Sequence, residues 1–310
     1  MELIRGLHNL RDRHKACALT IGNFDGVHLG HQEILKILVN KARELNIDAC
    51  LMSFEPLPQE YFSPQTAPAR LTRLREKWCL LNKTGIDQFL CIKFNHWLAD
   101  LTAEEFIKKI LVDYLHVRYL VIGDDFRFGK GRVGDFKMLT TAGNKYGFEV
   151  VNSHSHCLDN VRISSTNIRQ ALANDQIGTA EKMLGHAYQI CGRIAHGDKR
   201  GRTIGFPTAN IKLHRHATPL NGVYAVCLHG IDNHVINGVA NIGKRPTVDG
   251  HHLQLEVHLF DFDKSIYGEQ VCVEFKLKLR DEKRFESFDA LKQQIIKDSE
   301  HAKNYFANHA

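Results

Sequence analysis

The stretch Leu19-Thr-Ile-Gly-Asn-Phe-Asp-Gly-Val-His-Leu-Gly-His-Gln-Glu-Ile-Leu35 decides how this chain is read. An apolar run, Ala16 to Ile21, has the composition of a buried strand and stops at a glycine turn. From Leu29 to Leu45 the apolar residues Ile34, Leu35, Leu38, Ala42 and Leu45 recur with helical spacing. The stretch is therefore strand, tight turn, helix. A helix start offers unpaired N–H groups and the positive end of its dipole, which together bind phosphate.

Outward from that turn the same grammar repeats. Ala49–Phe54, Gln88–Phe94, Arg118–Ile122 and Phe148–Val151 read as strands, with helical patterns at Leu71–Asn82, Thr102–Leu115 and Phe136–Tyr146. Strands alternating with helices imply an α/β fold, a doubly wound parallel sheet covered on both faces. After Leu184 the helices disappear. Tyr188–His196, Gly222–His229, Val235–Ile242, Leu253–Phe260 and Val271–Arg280 read as consecutive strands, and Val271, Val273, Phe275, Leu277 and Leu279 alternate with polar partners. That pattern predicts an antiparallel β-barrel, closed by a helix over Phe288–Phe306. The expected domains are residues 1–184 and 185–310, an organisation that 310 residues favour.

A net charge of +6 without a run of basic residues gives no reason to expect nucleic acid as a partner. The eight cysteines contain no CxxC pair and sit mostly in apolar surroundings, so they read as reduced core thiols. The N-terminus shows no apolar signal region and no run approaches a membrane span. A cytoplasmic protein with no membrane partner is the expectation.

His28 and His31 are three apart and share one face of the first helical turn, where imidazole N–H groups can hold phosphate oxygens as charge builds. Gly30 permits close backbone approach. The bland alternatives are a zinc pair, which lacks a third ligand here, and two surface histidines, a chance pair being easy among 19. Together with Gly22, Asn23, Phe24 and Asp25, the stretch resembles the nucleotidyltransferase superfamily, whose GxFDxxHxGH histidines bind and stabilise the phosphates of ATP. Ile163-Ser-Ser-Thr-Asn-Ile-Arg169 is similar to that family's second element. Ser164, Ser165 and Thr166 carry hydroxyls that also suit helix capping, and Arg169 can neutralise leaving pyrophosphate.

Gly123-Asp-Asp-Phe-Arg-Phe-Gly-Lys-Gly-Arg-Val-Gly-Asp135 contains Gly129, Gly131 and Gly134 in dinucleotide-fingerprint spacing, but no strand leads directly into it. The better reading is a loop presenting Phe126 and Phe128 beside Asp125 and Arg127. This loop and Ser53-Phe-Glu-Pro-Leu-Pro-Gln-Glu-Tyr-Phe62 resemble the bacterial bifunctional FAD synthetases, in which they help to hold FMN. The resemblance assigns Phe62 to the flavin and leaves Leu57 without a role.

Gly201-Arg-Thr-Ile-Gly-Phe-Pro-Thr-Ala-Asn-Ile211 is the second signal. Thr208 and Asn210 face the same way on an extended segment, and their hydroxyl and amide oxygens are hard donors suited to Mg2+ carried by ATP. PTAN is the hallmark of flavokinases. In that family these residues engage metal and ATP, and the segment Gly192–Arg202, with Gly201 and Arg202, resembles the loop closing over the nucleotide. Glu256, on the polar face of Leu253-Gln-Leu-Glu-Val-His-Leu-Phe260, matches the family's catalytic base. By itself it reads as a solvated carboxylate. Gly238–Lys244 imitates the start of a Walker A motif, yet Arg245 and Pro246 replace the magnesium-binding hydroxyl, and the run matches the flavokinase GVANIGxRPT instead.

The resemblance thus implies a bifunctional enzyme that phosphorylates riboflavin to FMN and adenylylates FMN to FAD, with riboflavin, FMN and ATP as its small-molecule partners. Two rival readings are an adenylyltransferase for another phosphate substrate and a non-catalytic flavin- or RNA-binding regulatory module.

Overall fold

The computed structural model describes residues 1–153, 157–158, 161–195, 206–231, 234–247 and 250–309, with side chains at all of these except 244–247 and 250–252. The chain divides into two compact units, Met1–Pro68 with Thr72–Ser164, and Ala69–Leu71 with Ser165–Ala310.

The first unit runs β1 (Glu2–Arg5), β2 (Ala18–Ile21), α1 (Leu29–Leu45), β3 (Ala49–Glu55), α2 (Pro58–Phe62), α3 (Leu74–Leu81), β4 (Gln88–Lys93), α4 (His96–Asp100), α5 (Ala103–Glu105), β5 (Tyr119–Gly123), α6 (Phe136–Tyr146), β6 (Glu149–Ser153) and a small hairpin, β7 (Cys157–Leu158) and β8 (Val161–Arg162). Beyond α5 the helix continues over Phe106–Tyr114 with π winding. The main sheet has the order β1-β4-β3-β2-β5-β6 and every pairing in it is parallel. β1, too short and polar to register as a strand from sequence, pairs with β4 at the edge.

Alternate side chains of these strands feed two cores, as a doubly wound sheet requires. Leu19, Met52, Leu90 and Ile122 enter the core shared with Phe106, Ile110 and Leu139. Ala18, Leu51, Phe89 and Val121 enter the opposite core, which Leu35, Leu38 and Ala42 of α1 complete. Burying each such leucine contributes about 1.5–3 kcal/mol, which fixes α1 against the sheet. At its far end α1 stops on Asn46, whose left-handed backbone (φ 52°) ends the helix while its N–H is donated back to the Ala42 carbonyl. β2 lies between β3 and β5, so the chain leaves its C-terminal end where the strand order reverses. In open α/β sheets that crevice is where ligands bind.

The second unit opens with α7 (Ser165–Ala173) and α8 (Ile177–Leu184), followed by β9 (Gln189–Ala195), β10 (Thr208–Lys212), β11 (Gly222–Ile231), β12 (His234–Thr247), β13 (Gly250–Leu259), β14 (Gln270–Arg280) and α9 (Phe288–Asn308). α8 packs on β14, so compactness breaks the chain at Ser164/Ser165, ahead of the change in sequence grammar near Gly185. The strands close into a barrel of order β10-β13-β12-β11-β14-β9 with antiparallel neighbours throughout. Ile190, Tyr224, Val226, Leu255, Val257, Val273 and Phe275 are buried.

Two expectations are corrected here. The five alternating apolar residues of β14 do not share one face. Between Phe275 and Leu277 the strand advances two residues while β11 advances one, from Val226 to Ala225. This bulge transfers Leu277 and Leu279 to the outer cluster beneath Tyr305 and Phe306 of α9. The second correction concerns the cysteines. Cys191 and Cys272 are joined by a disulfide, directly opposite each other on β9 and β14 with their Cα atoms 4.0 Å apart. They are 81 residues apart in sequence, so only the closed barrel brings them into register. Cys17, Cys50, Cys91 and Cys227 are buried outside this disulfide, as expected of core thiols, while Cys79 and Cys157 are exposed.

Candidate active sites

The turn between β2 and α1 is held in an unusual conformation. Phe24 (φ 47°), Gly26 (φ 85°) and Val27 (φ 43°) all adopt positive φ, which glycine tolerates and a β-branched valine adopts only under constraint. The constraint comes from residues that sequence reading did not single out. The Thr72 backbone N–H donates to Asp25 Oδ1 at 2.9 Å, its hydroxyl donates to the same oxygen at 3.3 Å, and the Gly26 N–H donates to Thr72 Oγ1 at 2.9 Å. The Ser53 hydroxyl and the Lys77 ammonium both donate to the Asn23 carbonyl. Phe24 and Asp25 are themselves buried, so within this unit both are parts of the turn's frame. Lys77 left a trace in the sequence: it shares the helical stripe of Leu74, Trp78 and Leu81, and a charge on a buried stripe marks a constrained group.

His28 caps α1. Its Nδ1 accepts the His31 N–H at 3.3 Å, so the neutral ring carries its proton on Nε2 and has that N–H to donate. The His28 and His31 rings stack at 3.6 Å, and Phe24 packs on His31 at 4.7 Å. A Cβ at position 30 would lie 3.3 Å from His28 Nδ1, which is why glycine stands there. Burial, then the neighbouring His28 and Lys77, holds His31 well below the usual histidine range. Its Nδ1 is buried and has no hydrogen-bond partner among the described residues. Two imidazoles at a helix start, with a buried lysine beside them, form a preorganised donor set for phosphate oxygens.

Phe62, Phe126, Arg127 and Phe128 line one cavity of about 760 Å³, together with Phe54, Phe94, Phe106 and Arg132, which sequence reading missed. Phe126 stacks on Phe128 at 5.6 Å, and Phe128 is buried against Phe106. Asp125 is not among the lining residues; its carboxylate accepts from Arg162 at 2.9 Å. The segment Gly129–Gly134 is a short turn folded back by a bridge between Phe128 and Gly134, so it is no dinucleotide fingerprint. An aromatic cavity of this volume suits a planar organic ring.

In the barrel, β10 lies between β9 and β13, with Asn210 opposite Glu256 and Thr208 opposite His258. Glu256 is in turn opposite Asn241 on β12, giving a polar row across three strands. Asn241 Oδ1 is buried and has no hydrogen-bond partner among the described residues. His258 Nδ1 lies 3.0 Å from the Pro207 carbonyl and its ring packs edge-on to Phe206, tying β13 to the start of the PTAN strand. Thr208 and Asn210 also line a cavity of about 380 Å³ with Phe262–Tyr267, to which β13 contributes Val257 and Leu259. Gly238–Lys244 lies within β12 and forms no phosphate loop. Gly201 and Arg202 lie outside the described residues. Ser165 opens α7, and the Arg169 guanidinium lies 3.4 Å from the Thr166 hydroxyl.

Residues 10–167 match the family model described as FAD synthetase, and residues 184–306 match the one described as riboflavin kinase. The chain belongs to the bifunctional FAD synthetases. It is 55% identical to the bifunctional riboflavin kinase/FMN adenylyltransferase of Haemophilus influenzae over 99% of both chains. Its identity to the Escherichia coli K12 protein of the same description is 51%, over 99% of this chain and 98% of that one. A crystal structure described as a macrolide-efflux protein from Streptococcus pneumoniae shares the FAD synthetase fold seen here, with a TM-score of 0.81 and 30% identity over 98% of this chain and 99% of that one. Among the described residues no helix is long and apolar enough to cross a membrane.

Proposed function

We propose that this FAD synthetase phosphorylates riboflavin with the row on its barrel and adenylylates FMN at the β2–α1 turn. The carrying observation is that two chemically separate donor sets, the stacked histidines and the Asn210–Glu256 pair, lie in separate compact units. Residues 1–184 are assigned to adenylyl transfer and residues 185–310 to the kinase. Neither rival, an adenylyltransferase for another substrate or a non-catalytic module, is favoured by any feature of these sites.

In the kinase reaction the terminal ribityl hydroxyl of riboflavin attacks the γ-phosphorus of ATP, Glu256 takes the hydroxyl proton, and ADP leaves. Proton transfer of this kind contributes about 10²–10⁴-fold. Thr208 and Asn210 offer hard oxygens that fit the Mg2+ accompanying ATP, which when bound neutralises charge on the phosphates. In the adenylyl reaction a phosphate oxygen of FMN attacks the α-phosphorus of ATP and pyrophosphate leaves. His28 and His31 donate to the oxygens that gain charge, with Lys77 adding fixed positive charge. Ser164, Ser165, Thr166 and Arg169 are assigned to the nucleotide, and Phe62 and Phe126 to the flavin ring, with the buried Phe128 supporting Phe126 from beneath. Both reactions draw on cytoplasmic ATP, and the cytoplasm is the proposed compartment.

The test is separability. His28→Ala with His31→Ala stops FAD formation and leaves FMN accumulating from riboflavin. Glu256→Gln stops FMN formation while supplied FMN is still converted to FAD. Loss of riboflavin phosphorylation in the folded histidine variant, or of adenylylation in the Glu256 variant, refutes the assignment.

A further inference from the structure

Gln254 has no part in the scheme above, and its position is specific. It lies two residues before Glu256 on β13, on the same face, opposite Gly243 of β12, which has no side chain to compete for its amide. Its Nε2 donates to Asn210 Oδ1 at 2.6 Å and to Glu256 Oε1 at 2.8 Å. We infer that Gln254 is a positioning residue of the kinase reaction, which holds Asn210 and Glu256 in one geometry. The inference rests on Glu256 being the base.

An ionised carboxylate only accepts hydrogen bonds, so Glu256 selects the amino end of the Gln254 amide. That amino group has two hydrogens, one for each oxygen. The second hydrogen then selects the carbonyl end of Asn210. Because the two hydrogens diverge by about 120°, legs of 2.6 and 2.8 Å set Asn210 Oδ1 and Glu256 Oε1 about 4.7 Å apart. A glutamine that merely satisfied a half-buried strand surface could be replaced without change in the turnover of the kinase reaction or its pH profile.

The experiment uses the full chain carrying Gln254→Leu or the nearly isosteric Gln254→Glu. Riboflavin phosphorylation is followed across pH, with thermal unfolding and circular dichroism of each purified variant as the measure of intact folding. Removing a hydrogen bond to a charged group lowers turnover about tenfold to a hundredfold in the leucine variant. Losing that donor disfavours the charged carboxylate, so the acid limb of the turnover profile moves to higher pH. In Gln254→Glu two carboxylates face each other, so neutral-pH turnover falls further and recovers toward alkaline pH. The inference is overturned if the leucine variant keeps wild-type turnover, or if either variant loses turnover with its acid limb unmoved. If the leucine variant fails to fold, the limb of the glutamate variant decides. Glu256→Gln separates the two readings: near-normal turnover there removes the base assignment itself. An inactive Glu256→Gln beside a normal Gln254→Leu removes only the role of Gln254.

Discussion

Thr72→Val tests whether the turn before α1 works because it is held. Thr72 is 5% exposed, and its hydroxyl makes two of the contacts that fix Asp25 and Gly26. Valine keeps the shape and the backbone N–H bond to Asp25 but deletes the acceptor of the Gly26 N–H and one donor to a carboxylate. A neutral hydrogen bond contributes about 0.5–1.5 kcal/mol and one to a charged group about 1.5–3 kcal/mol. Since the carboxylate contact is a long 3.3 Å, the lower part of that range applies and the loss is about 2–3 kcal/mol. If the turn expresses that loss as misplacement of His28 and His31, adenylyl transfer slows roughly 30- to 150-fold, at 1.36 kcal/mol per tenfold. The assay is kcat/KM for FAD formation from supplied FMN and ATP, with riboflavin phosphorylation measured on the same preparation and Thr72→Ser as the variant that retains the hydroxyl. Adenylylation within twofold of wild type in the valine variant refutes the reasoning. An equal fall in both reactions assigns the effect to the fold as a whole.

Acid lability is expected from His31. Its folded-state value is depressed, so the unfolded chain takes up a proton more readily as pH falls below about 6.5, and stability present above that value is lost at up to about 1.36 kcal/mol per pH unit; denaturation of wild type against His31→Gln, compared between pH 7 and pH 5, shows a flatter profile in the variant. The aromatic cavity is expected to divide into ligand contacts and core. Phe62→Ala and Phe126→Ala raise the KM for FMN in adenylylation about 2- to 12-fold, the range of an aromatic pair, and leave the KM for riboflavin in phosphorylation unchanged. Phe128→Ala, buried against Phe106, instead destabilises the protein by about 3–5 kcal/mol in a denaturant titration.

Sequence by itself determined the two architectures and the principal chemical groups, because these are written in local patterns. Helical stripes alternating with apolar runs specify a parallel sheet with helices on both sides, and a run of period-two segments specifies a barrel. The candidate sites were legible where the proposed chemistry sits within one short segment: His28 and His31 share a helical turn, and Thr208 and Asn210 share a strand face. Tertiary structure decided what depends on register between distant segments. Thr72 and Lys77 brace a turn some 45–55 residues earlier. Gln254 meets Asn210 across 44 residues. Cys191 and Cys272 become neighbours through barrel closure alone. The bulge that moves Leu277 off the inner face of β14 is invisible to a pattern that alternates without a break, since one extra residue on one strand has meaning only against its partner. A side chain's type and its local spacing are properties of the sequence. The partner that gives it a role is set by which strands and turns the fold brings within hydrogen-bonding distance.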